Sequence, residues 1–173
     1  MSRKQYSMND GMSVAKKASN DIEQFLYSKA ETVEVLNVED DGAYQAIDID
    51  LIWKWKNNRG EIRTTTIEIK GDRYYGTGNY FLETVSNKSK GTPGCFIYTQ
   101  ADYVLYYFVG PMELHVLPMP DTRNWFIDNI NKFKERETST PVGNGDFYIT
   151  VGRLVPRLEL QEAVNGVKII SLK

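Results

Sequence analysis

The chain of 173 residues contains one cysteine, Cys95, and one histidine, His115. A single thiol closes no internal disulfide, and one Cys with one His fall short of a structural zinc site. Metals held by oxygen ligands are therefore the expected class. No stretch is long and apolar enough to cross a membrane, and the opening MSRKQYSMNDGMSVAKK lacks the apolar centre of a secretory signal. A soluble, cytoplasmic protein is expected. There is no excess of positive charge either: the net charge of −2 argues against a protein that coats nucleic acid, which needs clustered Lys and Arg. Internal repeats and low-complexity tracts are absent, and the length suits one domain over 1–173.

The charges that are present are segregated. Residues 18–50 hold nine acids against Lys29, whereas residues 51–90 hold eight bases against four acids. That pattern suits a metal–carboxylate cleft flanked by phosphate-contacting bases, and it also suits ordinary solvated faces. Along the chain, SNDIEQFLYSKAE predicts a helix over about 19–30, with Ser19 as its cap and Ile22, Phe25 and Leu26 on one face. VEVLNVE reads as a strand, Asp40–Gly42 as a turn and AIDIDLIWKW as a long strand. Asn57–Gly60 reads as a hairpin turn into the β-branched run EIRTTTIEIK. YFLETV, CFIYT, ADYVLYYFVG and MELHVLPM read as further strands, PDTRNWFIDNINKFKER as a helix, and FYITV as a late strand. The expected fold is α/β, a mixed central sheet flanked by helices.

Two-residue periodicity puts Glu68 and Lys70 on one face of their strand, with Ile67 and Ile69 on the other. Asp48 and Asp50 share a face of the preceding strand, and the hairpin brings the pairs together. Carboxylates beside a lysine are what metal-assisted phosphodiester hydrolysis requires. Mg²⁺ or Mn²⁺ is held by carboxylates, water and phosphate oxygens, while the lysine positions or deprotonates the attacking water or faces the phosphate. Asp50 and Glu68 are the expected metal ligands, with Asp48 as the alternative to Asp50 in a shifted register. The backbone carbonyl of Ile69 is a further candidate.

The run IDIDLIW, the 18-residue step from Asp50 to Glu68, then IEIK and GNYFLETVSN, resemble the D…(D/E)xK core of the PD-(D/E)XK nuclease superfamily. TQADYVLYYF and TVGRLVP are similar to later portions of its small phage-type or prophage-type members. Ile49 stands where the namesake proline would precede Asp50. The resemblance implies a restriction-endonuclease-like core and a metal-dependent nuclease acting on DNA, with Asp50, Glu68 and Lys70 catalytic. It also implies a metal-site acid on the first helix, matched by Glu23, and, in enzymes that cut both strands, a homodimer. A phage accessory or anti-defence protein keeping the fold without catalysis is the competing expectation. Asp48-Ile49-Asp50 also reads as the metal-binding DxD of a nucleotide-sugar transferase, for which 173 residues are few.

Other features are weighed similarly. GDRYYGTG lacks a Walker lysine and reads as a connection that brings Arg73 near the cleft. Lys88 and Lys90, on a Ser/Gly/Thr-rich loop, are candidate phosphate contacts, although exposed lysines also serve solubility. Glu83 is either an auxiliary acid or a sheet-edge charge. Tyr103, Tyr106, Tyr107 and Phe108 read as core rather than as a base-stacking platform, and His115 as a structural residue.

Overall fold

The computed structural model describes residues 8–173, with side chains from Val14 onward; part of the N-terminal stretch expected to lack an apolar signal lies outside the described residues. The chain begins with α1 (Met8–Tyr27), followed by β1 (Thr32–Asn37), the single turn α2 (Gly42–Gln45), β2 (Leu51–Lys56) and β3 (Ile62–Asp72). Next come β4 (Asn79–Asn87), β5 (Thr92–Pro93), the short α3 (Cys95–Tyr98), β6 (Tyr103–Phe108) and β7 (Glu113–Pro118). The last part holds α4 (Asp121–Asn129), β8 (Lys134–Gly143), β9 (Asp146–Pro156), α5 (Arg157–Ala163) and β10 (Lys168–Ser171).

The strands form two sheets. The larger is mixed, in the order β1-β2-β3-β6-β7-β10, with β3 and β6 parallel and every other pair antiparallel. The smaller is antiparallel, in the order β5-β4-β9-β8. Among the described residues no helix is long and apolar enough to cross a membrane. The β2–β3 hairpin forms as its sequence predicts: the Asn57 side chain accepts from the Arg59 and Glu61 amides, and Gly60 takes the left-handed backbone (φ 76°) that closes the turn.

Side-chain alternation along β6 divides the interior. Val104, Tyr106 and Phe108 pack with Tyr80, Leu82, Phe96 and Val155 in a core between the sheets. Leu105 and Tyr107 point the other way, joining Leu51 and Ile67 beneath Ala18, Ile22 and Leu26 of α1. At Gly71 a Cβ would stand 3.0 Å from the Ala18 Cβ, so the helix lies directly on β3 there. Glu68 and Lys70 are in register with Val104 and Tyr106, which places both on the inter-sheet face. The tyrosine-rich run is core, as expected.

Several local expectations are corrected. Ser19 is not a cap: α1 continues well N-terminal to it, and its hydroxyl donates to Glu39 at 2.7 Å. AIDIDLIWKW is a strand only from Leu51, because Asp48 adopts φ 59° and its carbonyl accepts from the Thr99 hydroxyl, turning the chain before β2. CFIYT is a helical turn rather than a strand, a short apolar run that periodicity alone cannot assign. The second helix stops at Asn129, and Phe133 reaches Trp125 and Phe126 from beyond it. The sequence KERETSTPVG, not anticipated as a strand, is β8, whose pairing with β9 gives the second sheet an edge.

His115 is 1% exposed and bonded at both ring nitrogens: Nδ1 lies 2.6 Å from the Tyr80 hydroxyl and Nε2 lies 2.8 Å from Glu113. An ionised carboxylate only accepts, so the ring proton sits on Nε2 and the Tyr80 hydroxyl donates to Nδ1 while accepting from Gln161 at 3.0 Å. Burial pulls the His115 pKa below its ordinary 6.5, outweighing the raising effect of Glu113. The unfolded chain therefore binds the extra proton first as pH falls, and stability contributed by neutral His115 is lost on acidification through about 6.5. Urea midpoints at about pH 7.5 and 5.5 test this. A His115→Gln variant is expected to show a smaller acid-side loss than the natural protein, and an equal loss in both would refute it.

Candidate metal centre

β3 supplies two of the polar groups. The register that sends Ile67 toward α1 sends Glu68 and Lys70 into the space between the sheets, so burial of one face forces the other two inward. Glu68 is 7% exposed, and its Oε2 has no hydrogen-bond partner. Lys70 is ion-paired with Glu83 of β4, a bond between the two sheets.

Asp50 precedes β2 and continues its pairing, its amide donating to the Ile67 carbonyl at 2.8 Å. Its carboxylate accepts from the Ile69 amide at 2.7 Å. Ile69 thus touches the site through its N–H. Asp48 sits two residues earlier in the turn, held by its left-handed backbone and the Thr99 bond, and its buried Oδ2 also lacks a partner. Asp50 therefore meets Glu68 by extending the β2–β3 pairing, whereas Asp48 comes from the turn and not from the strand face it was expected to share with Asp50. Ligand atoms of Asp48, Glu68 and Cys95 lie within 4.8 Å of one another.

Cys95, with Glu83 and Tyr98, was not marked as central by sequence. It opens α3, which approaches β4 so closely that a Cβ on Gly94 would be 2.5 Å from the Glu83 carbonyl carbon. Tyr98 closes the same turn and hydrogen-bonds Asp48. The GxxxY spacing within GCFIY is a one-turn helical signal, visible in retrospect, whereas the proximity to β3 is tertiary.

The electrostatics are unbalanced. Burial, reinforced by Asp50, pushes Asp48 up to about 6. Burial also raises Asp50, against the Ile69 amide bond, and it raises Glu68 well above its ordinary range together with the charges of Asp50 and Asp48. The contact with Glu68 lowers Asp50 and raises Glu68, so of these two acids it is Glu68 that the pairing drives toward the protonated form. Lys70 behaves differently: burial lowers it, but Glu83, Cys95 and Glu68 outweigh burial and hold its ammonium well above the usual range. Its charge is already matched by Glu83. Among the described residues the cation whose charge reaches Asp48, Asp50 and Glu68 is Lys70, which is paired with Glu83, and two orphaned carboxylate oxygens suit a further cation.

The remaining predicted residues stand further out. Glu23 accepts from Asn37 at 2.7 Å and from Ser19 at 3.3 Å, and Glu39 is the acid on that side whose charge reaches Asp50. Lys88 is exposed and paired with Glu137, Lys90 is exposed in the turn after β4, and Arg73 is half-buried just beyond β3. An open cleft of about 360 Å³ adjoins the centre, lined by Lys70, Glu83, Ser86, Asn87, Tyr148 and Thr150. Comparisons of the chain with protein-family models, with curated proteins and with solved structures give no match.

Two outcomes follow from this geometry. Because the folded pKa of Glu68 is raised, its ionised form costs stability above the ordinary carboxylate range, and a neutral isostere relieves that cost. Glu68→Gln is expected to raise the thermal midpoint in EDTA by about 2–4 °C for each kcal/mol relieved. A lowered midpoint would contradict the picture of an uncompensated buried carboxyl. Gly94→Ala forces its methyl into the Glu83 backbone and is expected to cost about 1–3 kcal/mol, read from urea denaturation. A neutral Gly94→Ala would show that α3 and β4 are not in that close contact.

Proposed function

We propose that this protein is a metal-dependent nuclease of the PD-(D/E)XK superfamily, hydrolysing phosphodiester bonds in DNA with Mg²⁺ or Mn²⁺ bound at Asp48, Asp50 and Glu68. The observation that carries the reading is the buried carboxyl cluster with the orphaned oxygens of Asp48 and Glu68, on the strand whose Lys70 lines an open cleft. The mixed sheet, with Asp48 and Asp50 leading into β2, Glu68 and Lys70 on β3 and α1 packed behind them, supports a restriction-endonuclease-like core. The resemblance of IDIDLIW…IEIK to the superfamily motif points the same way.

In this reading Asp48, Asp50 and Glu68 hold the ion as carboxylates, with Asp50 anchored by the Ile69 amide. A divalent ion at such a site supplies Lewis acidity, lowering the pKa of a bound water and offsetting charge on phosphate. The Ile69 carbonyl is a candidate for an added ligand. Lys70 stays protonated because Glu83 faces it, so its role is to attract a phosphate oxygen rather than to take a proton from water. Exchange of the Glu83 bond for a phosphate contact would open the cleft to the scissile group. Arg73, Lys88 and Lys90 border this region as candidate backbone contacts, and a homodimer would pair two such centres for double-strand cutting.

The Lys70–Glu83 ion pair also favours the second reading, a nuclease-fold binding protein without catalysis, such as a phage accessory or anti-defence factor, because the lysine is already engaged. Labelled duplex, nicked, branched and single-stranded DNA, incubated with Mg²⁺, Mn²⁺ or EDTA, separates the two. The nuclease reading expects cleavage only with a divalent ion and a fall of roughly 10²-fold or more in Glu68→Ala and Lys70→Ala. Undiminished cutting by either variant would sink it. Calorimetry without binding of either ion would favour the non-catalytic reading.

A further inference from the structure

The sulfur of Cys95 belongs to the ligand cluster itself, facing Asp48 and Glu68 with all three donor atoms within 4.8 Å of one another. Cys95 is 5% exposed, and no disulfide occupies it. A buried cysteine is ordinarily an inert small apolar residue, and by itself this one would signify nothing. Two further features point to a ligand. Glu68 is 7% exposed and its buried Oε2 has no hydrogen-bond partner, and the buried Oδ2 of Asp48 is unpartnered too. Three groups from three separate segments, the turn before β2, strand β3 and the start of α3, therefore converge with free donor capacity. Burial raises the Cys95 thiol well above its ordinary range, outweighing the opposing charge of Lys70, so the thiolate depends on the ion itself.

We infer that Cys95 is a thiolate ligand of the metal centre, so that the site selects Mn²⁺ and, more strongly, thiophilic divalent ions of the Co²⁺ and Zn²⁺ class over Mg²⁺. The inference rests on the nuclease reading of the same site and narrows its cofactor. The physical ground is ligand softness. Magnesium demands oxygen donors in near-octahedral geometry and keeps several waters, whereas sulfur with two carboxylates is a mixed donor set suited to borderline ions. On binding, the S–H bond of Cys95 breaks, a sulfur–metal bond forms, and the proton passes to the solvent buffer. No oxidant or reductant takes part, and the charge of the ion replaces that of the proton. A purely structural Cys95 would predict the same ion preference with serine in its place.

The full chain titrated with Co²⁺ tests this by absorption and calorimetry. Thiolate ligation gives a near-ultraviolet sulfur-to-cobalt charge-transfer band, and because Cys95 is the one cysteine of the chain, that band reports this residue alone. The natural protein is expected to develop the band at one equivalent. Cys95→Ser is expected to lack it and to bind Co²⁺ at least roughly tenfold more weakly, the lower end of what losing even a supporting partner of a metal ligand costs, with little change for Mg²⁺. Cys95→Ala, compared by circular dichroism and thermal midpoint, separates loss of the ligand from loss of the fold, while the band in the natural protein needs no variant. Co²⁺ binding without the band, or a band retained in Cys95→Ser, overturns the inference and leaves the nuclease reading standing. Binding of Mg²⁺ or Mn²⁺ with none of Co²⁺ does the same. Absence of binding by every one of these ions overturns both.

Discussion

Lys70 and Glu83 form an ion pair between the two sheets, and the character of the centre depends on it. A lysine ammonium buried between sheets requires an anion, and Glu83 on β4 is the one that meets it. With that charge matched, Glu68 on the same strand and Asp48 and Asp50 before β2 are left crowded together, with no further cation among the described residues whose charge reaches them. Desolvation acts in the same direction on all three, repulsion from neighbouring carboxylates adds to it at Asp48 and Glu68, and protonation or a bound ion is the available relief. The ion pair also ties β3 to β4 at the mouth of the cleft, so the contact that joins the sheets borders the proposed reaction space.

The surrounding scaffold is rigid where the acids are. β3 is a central strand of the larger sheet, paired on both sides and covered by α1 at Gly71, where a Cβ would stand 3.0 Å from the Ala18 Cβ and 3.1 Å from the Val14 carbonyl oxygen. α3 reaches Glu83 by a similar device at Gly94. Glycine at these two places is a packing requirement, and it brings Cys95 and Tyr98 to the carboxyl cluster. By contrast, Lys88, Lys90 and the β8–β9 turn, with Phe147 exposed near its tip, lie at the solvent edge.

Much of the larger sheet was legible. Alternation identified β3, the Asn-Asn-Arg-Gly turn set the β2–β3 register, and aromatic and β-branched runs marked β4, β6 and β7. Periodicity alone placed Glu68 and Lys70 on one face, because a strand repeats every two residues whatever it packs against. The misreadings have common physical causes. Asp48 breaks the apparent strand through a left-handed backbone stabilised by a bond from Thr99, distant in sequence. CFIYT is too short for periodicity to separate helix from strand, and KERETSTPVG, polar throughout much of its length, carries no burial pattern because β8 is a largely exposed edge.

The sequence by itself determined which residues could share a strand face: the acid and the lysine of IEIK, and the hairpin that carries acids toward them, follow from local geometry and turn chemistry. Only the tertiary structure decided what those residues meet. Glu83 comes to Lys70 from another sheet, Cys95 comes to Glu68 from a helical turn beyond a crossover, and Asp48 arrives by a bend rather than by alternation. Those meetings are set by packing between elements far apart in the chain, and so are the burial and charge imbalance that make the acids chemically distinctive. No local period encodes either.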